Sequence, residues 1–94
     1  MLFAARLISQ QPPNIQFEDW QAIVSEQLQA TKVLRDEGKI RAIYRETGIG
    51  VLAIFETGDA TEMDQILTQL PMAPYFKEVS VNVIWDMSPV LESL

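Results

Sequence analysis

The 94-residue chain contains no cysteine and no histidine. Without cysteine it can form no disulfide, no thiolate nucleophile and no thiolate metal site. Without histidine it lacks the usual catalytic triads, the commonest metal ligand, and the side chain that titrates nearest to neutral pH. Acid–base chemistry therefore falls to carboxylates, tyrosines or lysines. Positive charge is also scarce: seven Lys and Arg stand against thirteen Asp and Glu, for a net charge of −6. No nucleic-acid partner is expected, because phosphate neutralisation needs a basic face and these cations are scattered. No apolar run reaches the ~18–20 residues needed to span a bilayer. The apolar opening, Met1 to Ile8, is short for a signal peptide and reads as a strand, so no membrane partner and a cytoplasmic location are expected.

What remains is 48% hydrophobic and 21% charged, a composition that excludes intrinsic disorder and fits one domain over residues 1–94. Met1 to Ile8 reads as a first strand, closed by Pro12-Pro13, which can join neither a ladder nor a helix interior. From Phe17 to Glu37 the apolar residues Trp20, Ile23, Val24, Leu28, Thr31 and Leu34 recur at helical spacing, and Gly38 stops the helix. Lys39–Thr47 and Gly50–Glu56 read as two strands around a glycine turn. Asp59 with Glu62 resembles a capping box, and Met63, Ile66, Leu67 and Leu70 form a second helical stripe that Pro71 ends. Val79 to Trp85 alternates as a last strand, and residues 86–94 read as a tail.

The order βαββαβ predicts an α+β, ferredoxin-like sandwich with both helices on one sheet face. The strands are apolar on both sides, with Leu52 and Ile54 set against Val51, Ala53 and Phe55. A bare apolar face predicts a second subunit packed sheet to sheet, giving a homodimer built as a dimeric α/β barrel.

The segment Leu70-Pro-Met-Ala-Pro-Tyr75 resembles the Leu-Pro-x-x-Pro-Tyr segment of muconolactone delta-isomerases, and it has the same placement between the second helix and the last strand. The Met-Leu-Phe opening and Leu34-Arg-Asp-Glu-Gly38 leading into Arg41-Ala-Ile-Tyr-Arg45 are similar to that family in the same order. The resemblance implies sheet-to-sheet dimers that assemble further, to a decamer in the family. It also implies a small acidic lactone as substrate, an allylic proton shift, and no cofactor. It implies histidines on the first and second strands, where this chain has Ala4 and Ala42. On strands expected to line the cavity, that difference removes proton-transfer groups.

A proton shift needs a base, a proton donor and a cation for the substrate carboxylate. The candidates for proton transfer are Glu26 on the first helix, Glu56 at a strand end and Tyr75 in the proline segment. For binding, Arg41 and Arg45 lie four apart on one strand and are expected on one face, with Arg6 within reach of it. Against that stands plain ion pairing of these arginines with Glu46 or Glu56. Tyr44 is a second hydroxyl for a ligand, and Trp85, at the start of the tail, is placed to cover a neighbour's cavity mouth. Only carboxylates remain as metal ligands and no Asp-x-Asp-x-Asp-Gly loop occurs, so no metal is expected. The leading expectation is cofactor-independent isomerisation or binding of a small organic acid or lactone. The alternative is a non-catalytic ligand-binding or oligomerisation module, and nothing specific selects a third class, the cofactor-free monooxygenases.

Overall fold

The computed structural model describes residues 1–94. Strand β1 (Leu2–Ser9) is followed by helix α1 (Phe17–Asp36), strands β2 (Ile40–Glu46) and β3 (Gly50–Glu56), helix α2 (Ala60–Gln69), a 3₁₀ turn (Ala73–Tyr75), strand β4 (Phe76–Ile84) and a short helix α3 (Ser88–Glu92). The four strands form one antiparallel sheet in the order β2-β3-β1-β4. This is the expected βαββαβ sandwich. Two local readings change. β4 begins at Phe76 rather than Val79 and ends before Trp85, and the tail carries α3. Strand periodicity is masked at Phe76-Lys77-Glu78, where charged residues face solvent on an edge strand.

Cross-strand pairing assigns each side chain to a face, because directly opposed residues of an antiparallel pair project the same way. Phe3, Ala5 and Leu7 lie opposite Phe55, Ala53 and Val51, on the side that the helices cover. There they meet Met63 and Leu70 of the α2 segment, and Phe3, Ala5, Phe55 and Met63 are each at most 3% exposed. At about 25 cal/mol per Å² of apolar surface removed from water, burial of this cluster stabilises the subunit.

α2 starts as its sequence dictates. Asp59 Oδ1 accepts the Glu62 N–H at 2.8 Å, and Glu62 Oε2 accepts the Gly58 N–H at 2.9 Å. α1 ends in a Schellman pair, with Gly38 N–H donating to Arg35 O and Lys39 N–H to Leu34 O.

Leu2, Ala4, Arg6 and Ile8 of β1, Leu52 and Ile54 of β3, and Ala42 and Tyr44 of β2 face the other way, where no helix lies. The molecule is elongated, with extents of 55 × 25 × 20 Å and a radius of gyration of 15.0 Å. A compact chain of this length would have about 12 Å. Its accessible surface is 6583 Å², against about 5,500 Å² expected for a folded monomer of this mass.

Candidate functional site

α1 stands off the sheet. None of its residues is buried, and between it and β2–β3 lies a cavity of about 400 Å³. Six α1 residues line it (Trp20, Val24, Gln27, Leu28, Thr31 and Leu34), and their spacing is that of one helix face. The floor is Ile40, Ile43, Val51, Ala53 and Phe55, with Leu70 and Met72 closing one side. Thirteen of its nineteen lining residues are hydrophobic. An empty void of this size would cost on the order of 10 kcal/mol at ~24 cal/mol per Å³, comparable with a whole domain's stability. It is a built recess, of the size that small-molecule sites have.

The polar groups of the recess are few. Gln27 Oε1 accepts the Met72 N–H at 3.0 Å, and Gln27 Nε2 donates to Thr31 Oγ1 at 3.3 Å. Thr31 Oγ1 in turn donates to Gln27 O at 2.7 Å. This set of bonds ties α1 to the segment after α2, and sequence reading did not single out Gln27. The available signal was a glutamine and a threonine four apart inside the apolar stripe of α1. Arg45 is the only charged lining residue, and it takes part in no ion pair.

The remaining candidates separate onto different surfaces. Arg41 and Arg45, expected on one face, lie on opposite ones. Ile40 pairs with Phe55 and Ala42 with the next residue, Ile54, so Arg41 is the extra residue of a β-bulge. Arg45, opposite Val51, therefore faces the helices, while Arg41 pairs with Glu56 on the bare face. Arg6 also lies on the bare face and grips Glu46 bidentately at 2.7 and 3.1 Å. Tyr44, opposite Leu52, lies there as well. Glu26 is exposed on α1 outside the lining stripe.

Tyr75 is half-buried and meets Trp20 edge to face, with ring centroids 5.5 Å apart and planes at 85°. Its ring borders a shallow surface groove with Pro12 and Lys77, not the α1 recess itself. Trp85 is exposed beyond β4. Ala4 and Ala42, expected in the cavity wall, both lie opposite Ile54 on the bare face, because their strand phase places them there.

One further ionic cluster lies away from the recess. Lys39 pairs with Glu62, tying the start of β2 to the first turn of α2. The Lys39 hydrogen bond, and then the Gly58 N–H, hold the Glu62 carboxyl below its ordinary range, and the same bond raises Lys39. No three acidic side chains come together in a way that could hold a metal ion.

A family model described as muconolactone delta-isomerase matches residues 1–85. No curated protein sequence matches the chain. Among solved structures, a muconolactone isomerase is similar, with a TM-score of 0.83 at 21% identity, covering 92% of this chain and 90% of that one. A 5-chloro-2-hydroxyhydroquinone dehydrochlorinase from Burkholderia phenoliruptrix AC1100, in complex with 2,5-dihydroxybenzoquinone, is also similar. Its TM-score is 0.65 at 18% identity, covering 92% of this chain and 94% of that one.

Proposed function

Since the chain belongs to the muconolactone delta-isomerase family, we propose that it binds a small organic acid or lactone, without a cofactor, in the recess between α1 and the sheet. The observation that carries this reading is Arg45, an ion-pair-free guanidinium on the edge of an otherwise uncharged, largely apolar recess. A guanidinium accepts a carboxylate in a planar, bidentate fit. Isomerisation of that ligand needs a proton carrier as well. Glu26 lies outside the lining, and Glu56 is engaged with Arg41 on the far face. Tyr75 packs on Trp20, a wall of the recess, so it is the candidate whose side chain stands one layer from a ligand.

Titrating the purified protein with muconolactone, while following both melting temperature and enol-lactone absorbance, tests the reading. A rise in melting temperature without product supports binding alone. Turnover that Tyr75→Phe abolishes supports isomerisation through that hydroxyl. No response to muconolactone or to any small carboxylate overturns the reading.

Self-association completes the proposal. The bare sheet face carries Leu2, Ile8, Leu52, Ile54 and Ile84, and its two cross-strand ion pairs, Arg6–Glu46 and Arg41–Glu56, neutralise four of its charges, leaving Glu78 opposite Ile8 on the edge strand. The excess of about 1,000 Å² of surface over a compact monomer is of the order that a stable dimer buries. A second copy laid sheet to sheet accounts for it, and larger rings up to a decamer are compatible. Trp85 stands on an exposed C-terminal segment with Val90 and Leu91, where it can reach the recess of another copy.

A further inference from the structure

The recess is polarised from end to end, and this polarity specifies its ligand more narrowly than the family does. Arg45 lies opposite Val51, and Val51 lies opposite Leu7. Ser9, two residues past Leu7, also lines the recess at this end, as does Trp20 near the start of α1. In the other direction the lining passes through Ile43 and Ala53 to Ile40 and Phe55, over a run of roughly 15 Å at about 3.3 Å per strand residue. Leu34, whose carbonyl accepts the Lys39 N–H just before β2, closes that far end, where no lining residue is charged.

The polar lining groups offer little else. Gln27 and Thr31 satisfy each other and the Met72 N–H, and Gln11 Nε2 donates to Ile15 O at 3.1 Å. Of the seven cations, Arg6, Arg35, Lys39 and Arg41 are held in ion pairs, and Lys32 and Lys77 do not line the recess. One unpaired cation thus stands at one end of an apolar trough, on a protein whose net charge of −6 repels anions elsewhere.

Building on the proposed binding site, we infer that the ligand is a monocarboxylate with an uncharged, apolar body, of the arylalkanoate or medium-chain type. The carboxylate lies on Arg45 and the body runs toward Phe55. A second carboxylate, or a ring rich in oxygen, would bury polar atoms among Ile40, Phe55 and Leu34 without partners, which disfavours dicarboxylates and polar lactones.

Trp20 lines the recess, so its fluorescence reports occupancy. The test titrates the full chain with 4-phenylbutanoate, the neutral 4-phenylbutanol, adipate and muconolactone, and repeats each titration with Arg45→Gln, whose fold is checked by circular dichroism. 4-Phenylbutanoate is expected to bind at least tenfold more tightly than the other three, and Arg45→Gln to remove its advantage over the alcohol. Raised salt is expected to weaken the carboxylate and leave the alcohol unchanged. Adipate or muconolactone binding as tightly as 4-phenylbutanoate overturns the ligand class and leaves the recess as the binding site. A preference for the carboxylate that survives Arg45→Gln overturns the role of Arg45. No binding of any of the four overturns the ligand class and the binding-site reading together.

Discussion

Arg41 and Arg45 stand four residues apart on one strand and serve opposite faces of the sheet. The bulge at Arg41 inserts one residue, after which every side chain of β2 is out of phase with a simple two-residue count. Arg41 is thereby given to Glu56 on the bare face, and Arg45 to the recess under α1. The chemistry available to the recess depends on this shift, since without it Arg45 would lie on the side of Arg6.

The two arginines are expected to respond differently to removal. Arg41→Ala breaks an exposed ion pair, which costs at most about 1 kcal/mol in urea unfolding. Ligand affinity in the recess is expected to stay within a factor of two. A large loss of affinity in Arg41→Ala would place the ligand on the bare face.

Two glycines of the β2–β3 hairpin separate steric from conformational cost. A Cβ on Gly50 would sit 2.3 Å from Leu7 O, a backbone atom that cannot move aside without opening the β1–β3 ladder. Gly48 has φ +75° with open space around it, so alanine there meets only the left-handed backbone penalty, about 1–2 kcal/mol. Gly50→Ala is expected to exceed Gly48→Ala in lost unfolding free energy. Equal midpoint shifts in urea would contradict the close approach.

Phe3→Ala probes the core without touching the recess lining. Phe3 is 3% exposed and packs in the cluster with Phe55 and Met63. The expected loss is about 3–5 kcal/mol, a large share of a small domain's stability. A loss below about 1 kcal/mol, read from denaturant midpoints, would show that the cluster is loosely packed.

The Lys39–Glu62 pair predicts a pH dependence. A carboxyl held below its ordinary range stabilises the fold above that range, and this contribution is lost as pH falls through the folded value. The raised lysine contributes below the ordinary lysine range and loses its contribution as pH rises through the folded value. The pair therefore contributes across neutral pH and fades at both extremes. Glu62→Gln is expected to lower the melting temperature at neutral pH and to flatten its decline on acidification. An unchanged acid limb in the variant would assign that decline to other carboxylates.

Ile54→Lys places a charge at the middle of the bare face, between Ala4 and Ala42. Sedimentation is expected to show the wild type associated and the variant shifted to monomer. The melting temperature of the wild type should rise with protein concentration. A wild type that sediments as a monomer at all concentrations would remove the sheet-to-sheet arrangement.

Most of the fold was legible because its signals are local. The stripe from Trp20 to Leu34, the Asp59–Glu62 cap and the alternation along β3 each depend on neighbours a few residues away. The ion pairs Arg6–Glu46 and Arg41–Glu56 were legible as one of two alternatives, since residue types suggest partners without fixing faces. The bulge at Arg41 was not legible, because nothing in Ile40-Arg41-Ala42 departs from ordinary strand composition. That single extra residue moved Arg45 to one face and left Ala42 and Tyr44 on the other. The recess was hidden for a different reason: the gap between α1 and the sheet depends on contacts between segments far apart in sequence. Gln27 joining Met72 across 45 positions is one such contact.

The strand order also governs how the chain can fold. β1 is central in the sheet, and both of its partners are synthesised after it: Leu2 meets Glu56 and Ile84. Closing such long loops is slow compared with forming a helix or a hairpin. At about 5–20 residues per second, several seconds separate the synthesis of β1 from that of β4. Until β3 and then β4 are made, β1 lacks first both and then one of its sheet partners, so the nascent chain is vulnerable to misassembly at this strand. Loss of β4 by truncation would make the lack of the second partner permanent.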